Sequence, residues 1–417
     1  MARHGSHTSR REFLGAAART GAVLGGAGLL LSSSELLNLL GLDPLDPAAQ
    51  PLDELIRRAP VARYWTSPTA ANPECGACHS SAELAKGGKH AHKNRAVKCL
   101  LCAHACLISE GNRGLCSARM NIRGELRSLV YGRPIAEHMD PIEKKPFFHF
   151  LPGVQAYSLA TSGCPLRCKF CQNWTISQAM PEDYDVAYCP AEAMANRAKG
   201  RGAPVVAFTY NEPTVFIEYL TDIARAARKA GLRSVLISCG FMNEAPLAEM
   251  IEVLDAIKID LKGFSPEFYQ KVSGAELAPV LRSIKQVAKA GRHLEIVNLV
   301  VPTLNDSDKM MAELSQWIVG EAGPDTPVHF TRFHPDYQLM NLPPTPVATL
   351  EKARDMAMKH GLRYAYVGNV PGHPGAHTYC PKCGGTVIER SGMFVTAMKL
   401  KGGACPACGT KIPGVWA

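Results

Sequence analysis

Between about residues 155 and 370 the chain alternates short apolar runs with helical runs, and this alternation restricts the fold more than any other feature. The runs that read as strands are AYSLATS, VVAFTY, SVLIS, AIKID, EIVNLVVP, VHFTRFHP and RYAYVG. Two of the intervening helical runs, TVFIEYLTDIARAARKAG and LAPVLRSIKQVAKAG, end in glycine, a common helix stop. The alternation predicts an α/β fold with a parallel sheet and crossover helices. Six or seven units predict a partial, TIM-like (β/α)6-type barrel.

Composition suggests further segments on both sides of this barrel. At about 100–200 residues per domain, 417 residues allow one large domain with appendages, or two domains. A proline-rich stretch at 41–70 predicts a linker or a wrapping arm. The predicted segments are an export signal (1–35), a linker with a CxxCH insert (36–98), a cysteine-rich segment (99–150), the barrel (151–370) and a zinc-ribbon-like tail (371–417).

The first 35 residues have the pattern of an export signal. Arg10 and Arg11 precede Phe13 and Leu14, and the run AAARTGAVLGGAGLLL follows, which resembles a twin-arginine signal. The apolar run is shorter than the ~20 residues of a confident membrane span, and no clear A-x-A cleavage site follows it. We therefore expect a periplasmic protein or one anchored by an uncleaved signal, and a cytoplasmic protein if the signal does not function.

The net charge of +9 says little about partners, because much of the excess is local. The paired arginines and the run KGGKHAHKNRAVK contribute much of it. No DNA- or RNA-binding motif accompanies the charge, so a solvated basic surface is favoured over a nucleic-acid site.

The 15 cysteines are informative because of their arrangement. Two-residue gaps place both sulfurs on one side of a turn, so the spacing favours metal or cluster ligation over a disulfide framework. Cys189 and Cys239 stand alone. The clusters are Cys75/Cys78, Cys99/Cys102/Cys106/Cys116, Cys164/Cys168/Cys171, Cys380/Cys383 and Cys405/Cys408.

The central triplet, Cys164, Cys168 and Cys171, follows the first predicted barrel strand. Active groups of such barrels lie at this carboxyl edge of the strands. C-x3-C-x2-C supplies three thiolates, whereas a closed 4Fe–4S cluster takes four. The triplet predicts a 4Fe–4S cluster with one open iron, which S-adenosylmethionine can chelate through its amino and carboxylate groups.

The motif CPLRCKFC, with Phe170 before the third cysteine, resembles the signature of the radical S-adenosylmethionine (SAM) superfamily. The stretches FTYNEPTVFIEY, KIDLKG, VNLVVPTLND and FHPDY resemble the branch related to pyruvate formate-lyase activating enzymes. VKCLLCAHACLISEGNRGLCSARMN, DPIEKKPFFHFLPG and GTKIPGVW are similar to the radical enzyme of the AmmeMemoRadiSam system. The resemblance covers roughly residues 97–417, and the export signal and residues 65–95 are additions to it.

The resemblance implies reductive cleavage of SAM to methionine and a 5′-deoxyadenosyl radical, which takes hydrogen from a substrate that the sequence does not identify. A matching Asp260 would help hold a monovalent cation near the cofactor carboxylate, whereas Lys262 fits a buried ion pair equally well. NEP is also the pattern of a helix N-cap followed by proline, and Cys239 stands where an asparagine is expected. The cofactor-binding residues that the resemblance implies are Phe170, Asn211, Glu212, Ser238, Asp260, Lys262, Asn298 and His334.

Two further sets of four cysteines predict metal sites. The set in the cysteine-rich segment suits an auxiliary 4Fe–4S cluster or zinc, and the cluster is favoured because the protein must move electrons. The tail has two C-x2-C knuckles with glycines after them, which predicts a zinc ribbon, with a second cluster or rubredoxin-type iron as the alternative. The two sets are Cys99, Cys102, Cys106 and Cys116, and Cys380, Cys383, Cys405 and Cys408.

The stretch CGACH matches the haem c attachment motif, with Cys75 and Cys78 as thioether ligands and His79 as axial ligand. His90 or His92 would supply the second axial ligand. The alternative is a zinc site formed by both cysteines and these two later histidines.

Three functions compete at this level. They are a radical enzyme acting on a small molecule or a partner protein, an activase of a glycyl-radical enzyme, and a non-catalytic iron–sulfur electron carrier. The open triplet with Glu212 favours an enzyme, since a carrier needs neither. An activase needs a partner with a glycyl loop, whereas the resemblance implies Memo-type and AMMECR-type partners together with an electron donor.

Overall fold

The computed structural model describes residues 49–67 and 95–417. The predicted export signal lies outside these residues, as does the CxxCH motif with His90 and His92. The described residues from Glu54 onward belong to one compact unit. Among the described helices, none combines the length and the apolar character that crossing a membrane requires.

The part of the chain before the barrel is made of short antiparallel pieces. Strands β1, β2 and β3 form one small sheet, and β4 and β5 form a hairpin. The hairpin turn, Arg123–Gly124, has positive φ at both residues, as a two-residue turn requires. The bounds are α1 Ala49–Arg58, β1 Trp65–Thr66, β2 Val97–Cys99, β3 Leu107–Ile108, β4 Arg119–Ile122 and β5 Glu125–Ser128.

An eight-stranded sheet forms the centre of the protein. Its strands are β6 Ala136–Pro141, β7 Gln155–Ala160, β8 Val205–Phe208, β9 Arg233–Ser238, β10 Ala256–Asp260, β11 His293–Val300, β12 Val328–Arg332 and β13 Ala365–Gly368. They lie in sequence order, with β7 to β13 parallel and β6 antiparallel at one edge. The seven parallel strands coincide with the seven predicted runs, so the predicted α/β fold with a partial parallel barrel is confirmed.

Crossover helices connect the parallel strands. Gly231 and Gly291 follow two of them with φ of 81° and 67°, a conformation that glycine adopts without strain, and this confirms the predicted helix ends. The helices are α2 Trp174–Ser177, α3 Ala191–Gly200, α4 Ile217–Lys229, α5 Glu244–Val253, α6 Pro266–Phe268, α7 Leu277–Lys289, α8 Asp308–Glu321 and α9 Val347–Lys359.

The two faces of the sheet have different surroundings. On β10, Ile257 and Ile259 belong to the large apolar core that also contains Leu220 of α4 and Ile284 of α7. Residues of the opposite face near the amino ends of the strands, such as Ala207 and Val235, pack with Phe147 and Phe150 from the segment before β7. Burying each phenylalanine stabilises the fold by roughly 1.5–3 kcal/mol.

The chain after the barrel forms a small antiparallel sheet of β14 Thr378–Tyr379, β15 Thr386–Ser391 and β16 Phe394–Met398. The buried Arg390 of β15 fastens this sheet to the barrel. Its Nη2 donates to the Phe148 carbonyl at 2.8 Å, and its Nη1 donates to the Ala376 carbonyl and the Thr378 hydroxyl. The Val415 amide also donates to the His149 carbonyl at 2.8 Å. The tail therefore packs against the segment that fills the amino end of the barrel.

Candidate active site

The three cysteines of the central triplet lie on the loop between β7 and α2, at the carboxyl edge of the sheet. Cys168 is buried, and Cys164 and Cys171 are half-buried. Backbone bonds tie the loop to the π-helical turn that ends at Ser273. The Arg167 amide donates to the Ser273 carbonyl, and the Lys169 amide donates to that of Val272. The loop position agrees with the sequence prediction.

Asn211 holds the start of this loop from the neighbouring strand end. Its Nδ2 donates to the Gly163 carbonyl at 2.8 Å, but its buried Oδ1 has no partner among the described residues. Tyr210, the residue before it, has a φ of 71°, and its hydroxyl donates to the Asp140 carboxylate. Buried polar atoms are usually hydrogen-bonded, so the amide oxygen of Asn211 is suited to accept a bond from a ligand.

The carboxylate of Glu212 is buried next to the triplet and is held by two strand ends. Its Oε1 accepts bonds from the Thr214 amide and hydroxyl and from the Ser238 hydroxyl, the last at 2.8 Å. Its Oε2 accepts from the Cys239 amide at 2.7 Å. Glu212 therefore caps the turn Pro213–Phe216, as the NEP pattern predicts. Three of the four bonds fall on Oε1, so Oε2 retains more acceptor capacity.

Three charged residues line up on one face at the end of β10. Asp260 pairs through Oδ2 with Lys262 at 3.2 Å and through Oδ1 with Lys258. The predicted alternation of Asp260 and Lys262 on one face agrees with this contact. The Lys262 ammonium also lies 5.8 Å from the centre of the Phe170 ring, which is itself buried against Phe268. Sequence reasoning missed Lys258, although it stands two residues before Asp260 and shares its face.

Asn298 and His334 come from the next two strands and differ in burial. Asn298 is buried, and its Nδ2 donates to the Leu261 carbonyl at 2.7 Å, while its Oδ1 has no partner among the described residues. His334 is exposed beyond the end of β12. The predicted cofactor-binding residues thus lie at or just beyond the carboxyl ends of successive strands from β7 to β12, as a shared site requires.

The donor set fits the cluster and SAM that the resemblance implies. The three thiols are not arranged around one ion. Within residues 49–67 and 95–417, they are not among the cysteines whose sulfurs all lie within 4.8 Å of one another. A cubane attaches its thiolates to separate irons. The unpartnered oxygens of Asn211 and Asn298 suit the ammonium and hydroxyl donors of SAM. Cys164, Cys168 and Cys171 would hold the cluster.

The other two cysteine sets have contrasting geometries. In the tail, the ligand atoms of all four cysteines lie within 4.8 Å of one another, with Cys380 and Cys408 sulfurs 3.5 Å apart and Cys383 and Cys405 sulfurs 3.7 Å apart. This set can bind one metal ion. The four cysteines between 99 and 116 instead line a cavity beside the triplet loop.

Comparisons with known proteins agree with this geometry. A model of the radical SAM superfamily matches residues 158–315. The uncharacterized protein MJ0808 of Methanocaldococcus jannaschii is 43% identical over 318 residues, which cover 76% of this chain and 95% of that protein. The pyruvate formate-lyase 1-activating enzyme of Escherichia coli K12 is 24% identical over 234 residues, or 52% of this chain and 93% of that enzyme.

A solved structure with a similar arrangement is Streptococcus suis SuiB bound to S-adenosylmethionine. The similarity covers 55% of this chain and 53% of that one, with 12% identity and a TM-score of 0.43. Because this similarity is low, the fold is assigned from the observed sheet and not from the SuiB structure. The close relative, the family match over the cysteine loop and the homologous activating enzymes together lead to one conclusion: the chain is an enzyme that belongs to the radical SAM superfamily.

Proposed function

We propose that this radical SAM enzyme binds its 4Fe–4S cluster through Cys164, Cys168 and Cys171 and positions SAM at the carboxyl ends of β8 to β12. When bound, the reduced cluster supplies the electron that cleaves SAM to methionine and a 5′-deoxyadenosyl radical, which abstracts hydrogen from a substrate. The observation that carries this proposal is the loop with three cysteines together with two buried amide oxygens that have no partner in the described part of the chain.

In this proposal, the residues of this chain bind SAM and orient it. Asn211 and Asn298 would accept hydrogen bonds from SAM through their free oxygens. Glu212 would accept from its ammonium through Oε2, held in place by Ser238 and the Cys239 amide. The Lys262 ammonium would attract the SAM carboxylate.

The test is SAM cleavage by anaerobic, reduced, reconstituted protein. We expect methionine and 5′-deoxyadenosine as products. Cys168→Ala should abolish their formation while the metal content of the tail stays unchanged. Cleavage at the wild-type rate in this variant, with the fold intact, would refute the ligand assignment.

A second candidate is activation of a glycyl-radical enzyme, which the homologous activating enzymes of E. coli and Listeria favour. In that case the hydrogen would come from a backbone glycine of a partner protein. The distinguishing measurement is electron paramagnetic resonance (EPR) of a mixture with a candidate partner, where a glycyl-radical doublet should appear only with SAM and reductant.

For the tail we propose structural zinc. The observation is the close approach of four sulfurs, since four ligands at about 2.3 Å around a tetrahedral ion lie about 3.8 Å apart. Metal analysis of the full chain should give one zinc that Cys383→Ser removes. Iron at this site in protein produced with both metals would favour the rubredoxin-type alternative.

The proposals on export, haem and partner proteins rest on the sequence alone. We propose export by the twin-arginine route, haem on Cys75 and Cys78, and Memo-type and AMMECR-type partners as the AmmeMemoRadiSam resemblance implies. Production with a cytochrome c maturation system should give a haem-stained band and the mass of one haem. Exported protein without either would refute the haem proposal.

A further inference from the structure

The four cysteines ahead of the barrel surround a largely enclosed cavity. Cys99 ends β2, Cys102 bridges to Met242 after β9, and Cys106 and Cys116 come from the two following turns. The cavity has a volume of about 10 Å³, and its other lining residues include Ile108, Arg119, Pro165 and Thr214. Four thiols therefore face one enclosed space, and Pro165 of that lining belongs to the triplet loop.

The separation of these sulfurs distinguishes the two metal alternatives. Around zinc, all four would lie about 3.8 Å apart. Within residues 49–67 and 95–417, only the tail set brings three or more ligand atoms within 4.8 Å of one another. The sulfurs around the cavity therefore do not form the close set that one ion needs, whereas a cubane takes its thiolates on four different irons. We infer that Cys99, Cys102, Cys106 and Cys116 bind a second 4Fe–4S cluster.

Arg119 supplies an independent observation. Its side chain is fully buried and lines the cavity. Nη2 donates to Glu218 at 2.5 Å and Nη1 to the Arg63 carbonyl at 2.7 Å, but the buried Nε has no partner among the residues that the structure describes. Leaving such a buried donor unsatisfied is destabilising, because its hydrogen bond to water is lost without replacement. A cluster sulfur would accept this bond, and the guanidinium charge would offset the negative charge of four thiolates.

The cavity shares a wall with the triplet loop. A Cβ at Gly163 would lie 2.2 Å from the Cys116 carbonyl oxygen, so only glycine permits this approach. His104 Nε2 lies 2.9 Å from the Pro165 carbonyl oxygen. Arg167 joins both loops, because its guanidinium donates to the Cys164 carbonyl and to that of Leu115. The second cluster would therefore be adjacent to the radical-forming cluster.

On the solvent side, Leu107 and Leu115 are more than half exposed next to two of the cluster ligands. We assign the second cluster as the entry point for electrons. A low-potential one-electron carrier is oxidised by one electron and reduces this cluster. The cluster then returns to its oxidised state by passing the electron to the cluster on the triplet, with no bond made or broken. This relay rests on the proposed function, whereas the presence of the cluster does not.

The test measures iron, sulfide and zinc in the anaerobic full-length protein and in two variants. Wild type should hold about eight irons in the two clusters, and Cys102→Ala/Cys106→Ala about four. Cys164→Ala should retain about four irons and the EPR signal of a reduced cluster. A second equivalent of zinc in place of iron, lost in the double variant, would overturn the inference.

Cleavage assays separate the relay from the proposed function. Each protein is assayed with reduced flavodoxin and with dithionite, and the two rates of SAM cleavage are expressed as a ratio. The ratio of the flavodoxin rate to the dithionite rate should be at least tenfold lower in the double variant than in wild type. Equal ratios would refute the relay. If wild type cleaves no SAM with either donor but Cys164→Ala keeps its cluster, the proposed function fails and the second cluster stands. Circular dichroism and denaturant unfolding of each variant, compared with wild type, report whether the variants fold.

Discussion

The two sets of four cysteines look alike in sequence and form different sites. In the tail, each knuckle closes on itself, because the Gly384 amide donates to the Cys380 carbonyl and the Gly409 amide to that of Cys405. Both glycines have φ near 70°, and the four sulfurs lie close together. Near the barrel, Cys102 bridges to Met242 and Cys116 packs on Gly163. Local turns determine one site, and tertiary contacts determine the other.

This contrast shows what a C-x2-C spacing can and cannot predict. The spacing makes two sulfurs available on one side of a turn. The distance between one pair and the remaining cysteines depends on the structure that joins them. A short antiparallel sheet brings the tail pairs within reach of one ion, whereas loops packed on a barrel hold the other four cysteines around an enclosed cavity.

The largest expected effect is that a substitution in either set of four cysteines removes the metal of that set and leaves the metal of the other set in place. Cys405→Ser should remove zinc and expose the tail to protease, because binding of structural zinc is coupled to folding. Cys99→Ser should remove about four irons and leave the tail zinc in place. Metal analysis and limited proteolysis of both variants check this prediction.

The matched control is Cys189→Ser, since Cys189 is a buried cysteine outside both sets. It should keep both metals. If Cys405→Ser also loses about four irons, the two sites depend on each other and the contrast between local and tertiary determination is wrong.

The next effect concerns the junction between tail and barrel. Arg390→Met removes a buried guanidinium that bonds to Phe148, Ala376 and Thr378 and lies 3.7 Å from the buried carboxylate of Glu143. Breaking such a buried pair should cost about 3–5 kcal/mol of unfolding free energy. Denaturant titration measures this loss.

An exposed arginine serves as control for that variant. Arg363 pairs with Asp325 at the surface, where its side chain is 51% exposed. Arg363→Met should change the unfolding free energy by less than about 1 kcal/mol. A similar loss of unfolding free energy in both variants would mean that the buried contacts of Arg390 stabilise the protein no more than a surface ion pair does. Zinc content should survive Arg390→Met if the tail site is locally determined.

A smaller effect is expected at Arg119. Arg119→Lys keeps the positive charge near Glu218 but removes the Nε–H group. Hydrogen bonds to cluster sulfurs raise the reduction potential, so the potential of the second cluster should fall by an amount on the order of tens of millivolts. A redox titration followed by EPR in the Cys164→Ala background measures it. An unchanged potential would show that Arg119 makes no bond to the cluster.

The smallest effect is expected in the tail. The Thr410 hydroxyl lies 3.3 Å from the Cys408 sulfur, and both residues are half-buried. Thr410→Val should weaken zinc binding by about tenfold or less, because solvent can replace the lost hydrogen bond. Competition with a chromophoric chelator measures the affinity. A loss as large as that of Cys405→Ser would contradict this description of the tail site.

Much of the fold could be predicted because its signals are local. Alternating strands and helices, and glycine after the helices, recur along the chain and do not depend on distant residues. The position of the cysteine triplet follows from the same alternation. Lys258, Arg119 and Arg390 were missed, because their partners are known only from the fold. Arg119 meets Glu218 99 residues away, and Arg390 meets Phe148 242 residues away.

The sequence by itself determined the parallel sheet, the triplet at its carboxyl edge and the knuckles of the tail, since each depends on residues close together in the chain. Only the tertiary structure decided how far apart the sulfurs of Cys99, Cys102, Cys106 and Cys116 lie and which charge faces them. The physical reason is that a metal site selects its occupant by ligand separation and surrounding charge. In this segment both quantities are set by packing on the barrel.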